Sequence, residues 1–109
     1  MKPTFFLAKS IATLLATTIT FTSALHALPQ GEQVRAGTAT FDRAGAALNI
    51  RTSDRAIIDY RSFSIGGGER VSFIQPSALS MTLNRVTDPN PSRIFGTLQS
   101  NGKIVLANP

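Results

Sequence analysis

From Leu28 onward the apolar and polar positions do not recur at helical spacing. They fall in short strand-like runs bounded by turn-forming residues. The runs cover residues 38–41, 47–51, 55–60, 70–75, 79–85, 94–98 and 103–107. Gly37 and a turn over 42–45 flank the first, Ala56-Ile57-Ile58 centre the third, and Gly66-Gly67-Gly68 precede the fourth. The run over 79–85 alternates cleanly, with Leu79, Met81 and Leu83 on one face and Ser80, Thr82 and Asn84 on the other. Seven short strands spaced in this way predict an all-β domain, and a sandwich, a small barrel and a β-solenoid all fit.

The connections bear on that choice. Asn101-Gly102 is the only two-residue hairpin signal of the Asn-Gly kind. Asparagine recurs instead near strand ends, at Asn49, Asn84, Asn90, Asn101 and Asn108. Each coil of a parallel β-helix must turn corners, where asparagine tolerates the left-handed conformation and bonds nearby backbone. No strict repeat is legible over so short a stretch, so the pattern alone keeps all three architectures.

Residues 1–27 read as a cleavable signal peptide. Lys2 and Lys9 supply the positive flank, residues 11–21 are uncharged, and small residues close the segment at Thr22-Ser23-Ala24 and at Ala27. Cleavage is expected after Ala27; Ala24 is the alternative, because Leu25 stands where a small residue is preferred. A membrane-spanning reading of 5–25 has the length, but Lys9 and five threonines interrupt it. Removal of 27 residues leaves 82 of 109, with nine basic and six acidic side chains, or +3.

Composition then narrows the chemistry. With no cysteine there are no disulfides, thiolate metal sites or cysteine nucleophiles. The single histidine, His26, leaves with the signal. Arginines at 35, 43, 51, 55, 61, 70, 85 and 93 are spread singly among acids, which describes a solvated mixed-charge surface and no nucleic-acid partner. Asp54 and Asp59 could be pictured as a carboxylate pair for glycosidic chemistry, but arginines beside them make salt bridges the simpler account. Gly66-Gly67-Gly68 lacks the helix start and Lys-Ser/Thr of a phosphate loop and reads as a turn demanding positive φ. Phe63 reads as core. No enzyme activity, cofactor or metal is expected.

Six blocks of sequence, in order, carry a family resemblance. Leu28-Pro29-Gln30-Gly31 with Val34 and Gly37-Thr38-Ala39-Thr40 resembles the mature start of two-partner-secretion exoproteins, the filamentous-haemagglutinin-like and high-molecular-weight adhesins. Ala56 to Gly66, Val71-Ser72-Phe73-Ile74-Gln75-Pro76 and Leu83-Asn84-Arg85-Val86-Thr87 are similar to later family blocks. So are Asn90-Pro91-Ser92-Arg93-Ile94-Phe95-Gly96 and the stretch from Asn101-Gly102 to Asn108-Pro109.

The resemblance implies the start of a right-handed parallel β-helix with an N-terminal cap, over residues 28–109. It implies a secretion-recognition segment, read in the periplasm of a Gram-negative cell by the docking domains of a cognate outer-membrane β-barrel transporter. The product is then at the cell surface or secreted, and a longer passenger would meet a host-cell glycan or protein. Asn84, Arg85, Asn90, Pro91, Asn101, Gly102, Asn108 and Pro109 become the transporter-recognition or structural motif. Residues 28–39 and 71–75 are the extended segments that could add to a partner's sheet edge. The family's export domain runs about three times longer, and the sequence ends within an expected Asn-Pro-Asn-Gly motif, so a truncated domain of marginal stability is expected. The alternatives are a stand-alone adhesive or glycan-binding module, a non-functional gene fragment, and a β-helix enzyme fragment.

Overall fold

A computed structural model describes residues 27–109, and the regular structure among them is all β. Of the expected signal peptide 1–27, residues 1–26, with Ala24 and His26, lie outside the described residues; Ala27 is the first of them. The strands are β1 (Gln33–Ala36), β2 (Ala39–Ala44), β3 (Ala47–Thr52), β4 (Ala56–Tyr60), β5 (Arg70–Ile74), β6 (Met81–Val86), β7 (Thr97–Ser100) and β8 (Lys103–Ala107).

They form two four-stranded sheets, ordered β1-β4-β6-β8 and β2-β3-β5-β7. Every coil of chain places one strand in each sheet: β3 then β4, β5 then β6, β7 then β8. Successive coils pair in parallel, Leu48 beside Val71 beside Leu98 in one sheet and Ile58 beside Asn84 beside Leu106 in the other. The long connections meet as well, through a parallel bridge between Ile65 and Ile94. This is a parallel β-helix. Its first coil is covered by antiparallel strands, β1 on β4 and β2 on β3, which form the expected N-terminal cap.

Alternation along each strand fills the interior. Leu48 and Ile50 from β3, Ile58 and Tyr60 from β4, and Val71 and Phe73 from β5 are all buried. Phe63 is core as expected, its ring edge-on to Tyr60 at 5.1 Å and 85°. Each such side chain contributes about 1.5–3 kcal/mol by burial, and Ile50→Ala would cost about 2–5 kcal/mol.

Some local expectations are revised. The turn expected at 42–45 falls later: β2 runs on to Ala44, and Gly45-Ala46 closes a two-residue hairpin onto β3 with Gly45 at φ 59°. Asn101-Gly102 closes no hairpin, since β7 and β8 belong to different sheets, and it forms a corner between them. Asparagines do not hold the left-handed positions either. Among the described residues those are Gly31, Gly37, Gly45, Gly68 and, without a glycine, Arg55 at φ 61°. The amides of Asn84 and Asn101 bond between coils instead.

The run over 79–85 alternates as read, yet its polar set faces inward. Ser80, Thr82 and Asn84 are buried, whereas Leu79 is 81% and Met81 44% exposed. Strand β7 starts only at Thr97, because Gly96 sits against the preceding coil. A Cβ there would strike the backbone oxygens of Gly66 and Glu69, so the chain can pass only as glycine. The turn over 66–68 does need positive φ, at Gly68 (82°).

Candidate functional site

Of the eight residues singled out from the sequence, Asn84 is buried, Gly102 is half-buried, and Arg85, Asn90, Pro91, Asn101, Asn108 and Pro109 are exposed. Asn84 lies mid-strand on β6 and is 1% exposed. Its Oδ1 accepts the Tyr60 hydroxyl at 2.9 Å, and its Nδ2 donates to the Val105 carbonyl at 3.2 Å. Burial pushes the Tyr60 phenol well above its usual range, so the hydroxyl remains a donor. A polar bond thus links three successive strands of one sheet, β4, β6 and β8.

Asn101 works on the next corner. Its Oδ1 accepts the Gln75 backbone N–H at 2.7 Å, and its Nδ2 donates to the Gln75 carbonyl at 2.8 Å. Gly102 packs close to the Gln75 side chain. That side chain points inward, where its Nε2 donates to Thr82 Oγ1 and to the Lys103 carbonyl, both at 3.1 Å. Gln75 Oε1 accepts the Ser100 hydroxyl at 2.5 Å, and Thr82 Oγ1 also lies 3.0 Å from Thr52 Oγ1. Every buried polar atom of this chain of contacts has a partner, the condition under which a polar interior rigidifies a fold. Gln75, Thr52, Thr82 and Ser100 were not singled out beforehand. Hydropathy carries no sign that a polar residue beside a turn faces inward.

Arg85 stands next to Asn84 on the opposite face. Its Nε donates to Asp59 Oδ1 at 2.7 Å, while Arg35 Nε donates to Oδ2 at 3.0 Å. Asp59 is 8% exposed. The Arg85 hydrogen bond holds its carboxyl below the ordinary range; burial pushes the other way, and Arg35 adds to the lowering. The acid therefore ties β1, β4 and β6 together across the sheet. Asp54 is elsewhere occupied, accepting the Met81 N–H at 2.9 Å. The two acids make separate structural contacts, as the salt-bridge reading expected.

Asn90, Pro91, Asn108 and Pro109 are all exposed. The fold brings them to one corner: Asn108 Nδ2 donates to Ser92 Oγ at 2.6 Å, so the chain after β8 lies on the loop that follows β6. Residues 71–75 cannot add to a partner's edge in this fold, since β5 is paired on both sides by β3 and β7. Within 28–39, β1 is an outer strand with one free side. Among the described residues no group of three or more His, Cys, Asp or Glu side chains converges as a metal-ligand set.

The described residues thus form a parallel β-helix with a capped first coil, laddered by side-chain amides between coils. Comparison with known proteins places it further. The family profile of the TPS secretion domain matches residues 25–109. The chain belongs to that family, the secretion domains that direct export of two-partner exoproteins across the outer membrane of Gram-negative bacteria. It is 43% identical over 95 residues to a heme/hemopexin-binding protein of Haemophilus influenzae strain Rd, covering 83% of this chain and 10% of that protein. A second Haemophilus influenzae heme/hemopexin-binding protein is 42% identical over 83 residues, covering 74% and 9%. The chain thus spans about a tenth of the length of these relatives. The crystal structure of the HMW1 secretion domain from Haemophilus influenzae superposes with a TM-score of 0.70 at 41% identity, covering 72% of this chain and 21% of that one.

Proposed function

We propose that residues 28–109 are the part of an exoprotein that its cognate outer-membrane transporter reads, after a signal ending at Ala27 has delivered the chain to the periplasm. The observation that carries this reading is the division of the matched asparagines. Asn84 is buried and Asn101, itself exposed, spends its amide on the Gln75 backbone, whereas Asn90-Pro91 and Asn108-Pro109 stand together at one exposed corner. The exposed corner supplies the contact with the transporter's docking domains, and the free side of β1 supplies an edge for strand addition. Recognition, with no chemical step, is the activity of the segment.

On this reading, contacts with host-cell glycan or protein, or with heme or hemopexin as in the relatives' names, belong to the longer exoprotein. A stand-alone glycan module would want an aromatic platform. Tyr60, Phe63 and Phe73 are buried, and Phe95 alone among the described rings is mostly exposed, at 72%.

The test is co-expression with the cognate transporter and measurement of the chain released to the medium. Asn90→Ala should reduce release while leaving the urea midpoint unchanged, whereas Asn84→Ala should lower both. Equal release with and without the transporter would overturn the proposal.

A further inference from the structure

Among the described residues one buried side-chain oxygen has no hydrogen-bond partner: Oε2 of Glu69. The residue is 3% exposed, and its other oxygen accepts the Gly66 N–H at 2.7 Å. A buried polar oxygen without a donor is costly, and a further donor reaching it would offset that cost. Arg93 lines the neighbouring cleft from the solvent side, but Oε2 takes no bond from it.

The start of the described chain passes beside the same Gly66 that this carboxylate holds. Gln30 pairs antiparallel with Ser62, which carries residues 27–30 back along 62–65 and brings Ala27 level with Ile65 and Gly66. A carbon placed as Cβ on Gly66 would meet Glu69 Oε1 at 2.9 Å and Ala27 Cβ at 3.4 Å. Ala27 and Gly66 line the same cleft. Leu28, at 5% exposed, and the buried Pro29 pin the backbone beyond Ala27 to the core.

We propose that Glu69 is the receptor for the mature amino terminus. The proposal rests on Ala27–Leu28 being the processed bond. Hydrolysis breaks that peptide C–N bond; the hydroxyl of water goes to the Ala27 carbonyl carbon and its hydrogen to the Leu28 nitrogen, and the amine then takes a proton from solvent. One neutral N–H donor becomes an ammonium with three donors and a full charge. Departure of Ala27 vacates the space beside Gly66, through which the ammonium meets Oε2. The cap of the β-helix is completed only in the processed chain, so processing and folding are coupled at this carboxylate.

The test expresses the full chain with its own leader in a Gram-negative periplasm, with four variants: native, Glu69→Gln, an insertion of Gly-Ser between Ala27 and Leu28, and the two changes combined. Mass spectrometry reads the mature terminus. Finding Leu25 there would overturn the Ala27 processing reading, and this inference with it. With Leu28 as terminus, Glu69→Gln should raise the protease-sensitive fraction about tenfold or more in the native background and less than about twofold in the inserted one. Equal effects in both backgrounds would leave the processing reading intact and overturn the ammonium receptor. A second measurement needs no variant. A free α-amine, with a pKa of about 7.7–8.0, acylates before a lysine of about 10.4 at neutral pH. In the processed native chain the Leu28 amine should react more slowly than Lys103. Preferential labelling of Leu28 would sink the idea.

Discussion

Replacing Asn84 by alanine tests the interior amide ladder directly. The substitution leaves the Tyr60 hydroxyl, on a residue 1% exposed, without its acceptor, and takes a side-chain donor from the Val105 carbonyl. A buried polar group left unsatisfied costs about 1–3 kcal/mol, and the second lost bond adds about 1, so the expected loss is about 2–4 kcal/mol. That is a large part of the roughly 4–12 kcal/mol that a folded chain of this size possesses. Tyr60→Phe alone should cost about 1–3 kcal/mol, since it strips the donor from Asn84 Oδ1. Combining Tyr60→Phe with Asn84→Ala removes both polar partners together, and its cost should fall short of the sum of the single changes by more than about 1 kcal/mol. Urea unfolding followed by circular dichroism supplies the four free energies, with unchanged slopes securing the comparison. Additivity within about 0.5 kcal/mol, or an Asn84→Ala cost below that figure, would refute the ladder.

Three further outcomes follow from the geometry. Because the folded carboxyl of Asp59 titrates below its ordinary value near 3.8, its contribution is present above that value and is lost as pH falls through the folded pKa. Asp59→Asn should flatten the acid limb of a stability-versus-pH curve, and an unaltered limb would contradict the assignment. Arg55→Gly should raise stability by about 1 kcal/mol, since a left-handed arginine is strained and its side chain is 89% exposed; a lowered urea midpoint would count against this. Gly96→Ala should cost about 1–3 kcal/mol or more, against almost no change for Gly67→Ala, where a Cβ meets nothing within 4 Å. Similar melting of the two variants would show that the close approach at Gly96 does not matter.

Much of the fold was legible from residue pattern, and the exceptions share one cause. Strand β8 was read at its observed bounds and β3, β4 and β5 within a residue of theirs, because each joins an apolar alternation to flanking turn formers. Strand β1 is not among the seven runs and is contained only in the broad extended segment 28–39: Gln33, Val34 and Arg35 are exposed, so its residues hold no inward pattern, and its place depends on pairing with β4. The orientation of β6 was hidden for a related reason. Thr82 and Asn84 can be buried only because Thr52 and Tyr60 arrive from the preceding coil, and Gln75 from the corner before β6, to satisfy them. A sequence window around β6 contains neither Thr52 nor Tyr60. The candidate residues fared likewise: the resemblance identified Asn84 and Asn90 together, and only the fold separates an interior brace from an exposed corner.

The regular return of the chain has a kinetic consequence. Ala47 pairs with Arg70 and Arg70 with Thr97, so one turn takes 23 residues and the next 27. In the other sheet Ala56 pairs with Thr82 and Thr82 with Ile104, at separations of 26 and 22. Closing a loop of that length costs about 3 kcal/mol of chain entropy beyond a constant, and the figure hardly changes from turn to turn. Sequence separation between contacting residues therefore stays level as the structure grows, unlike in a sandwich, where late pairings span the whole chain. The capped first turn can act as a nucleus on which each later turn zips at a similar rate. Folding time in such a molecule scales with the number of turns added, and the earliest turns need no information from residues still to come.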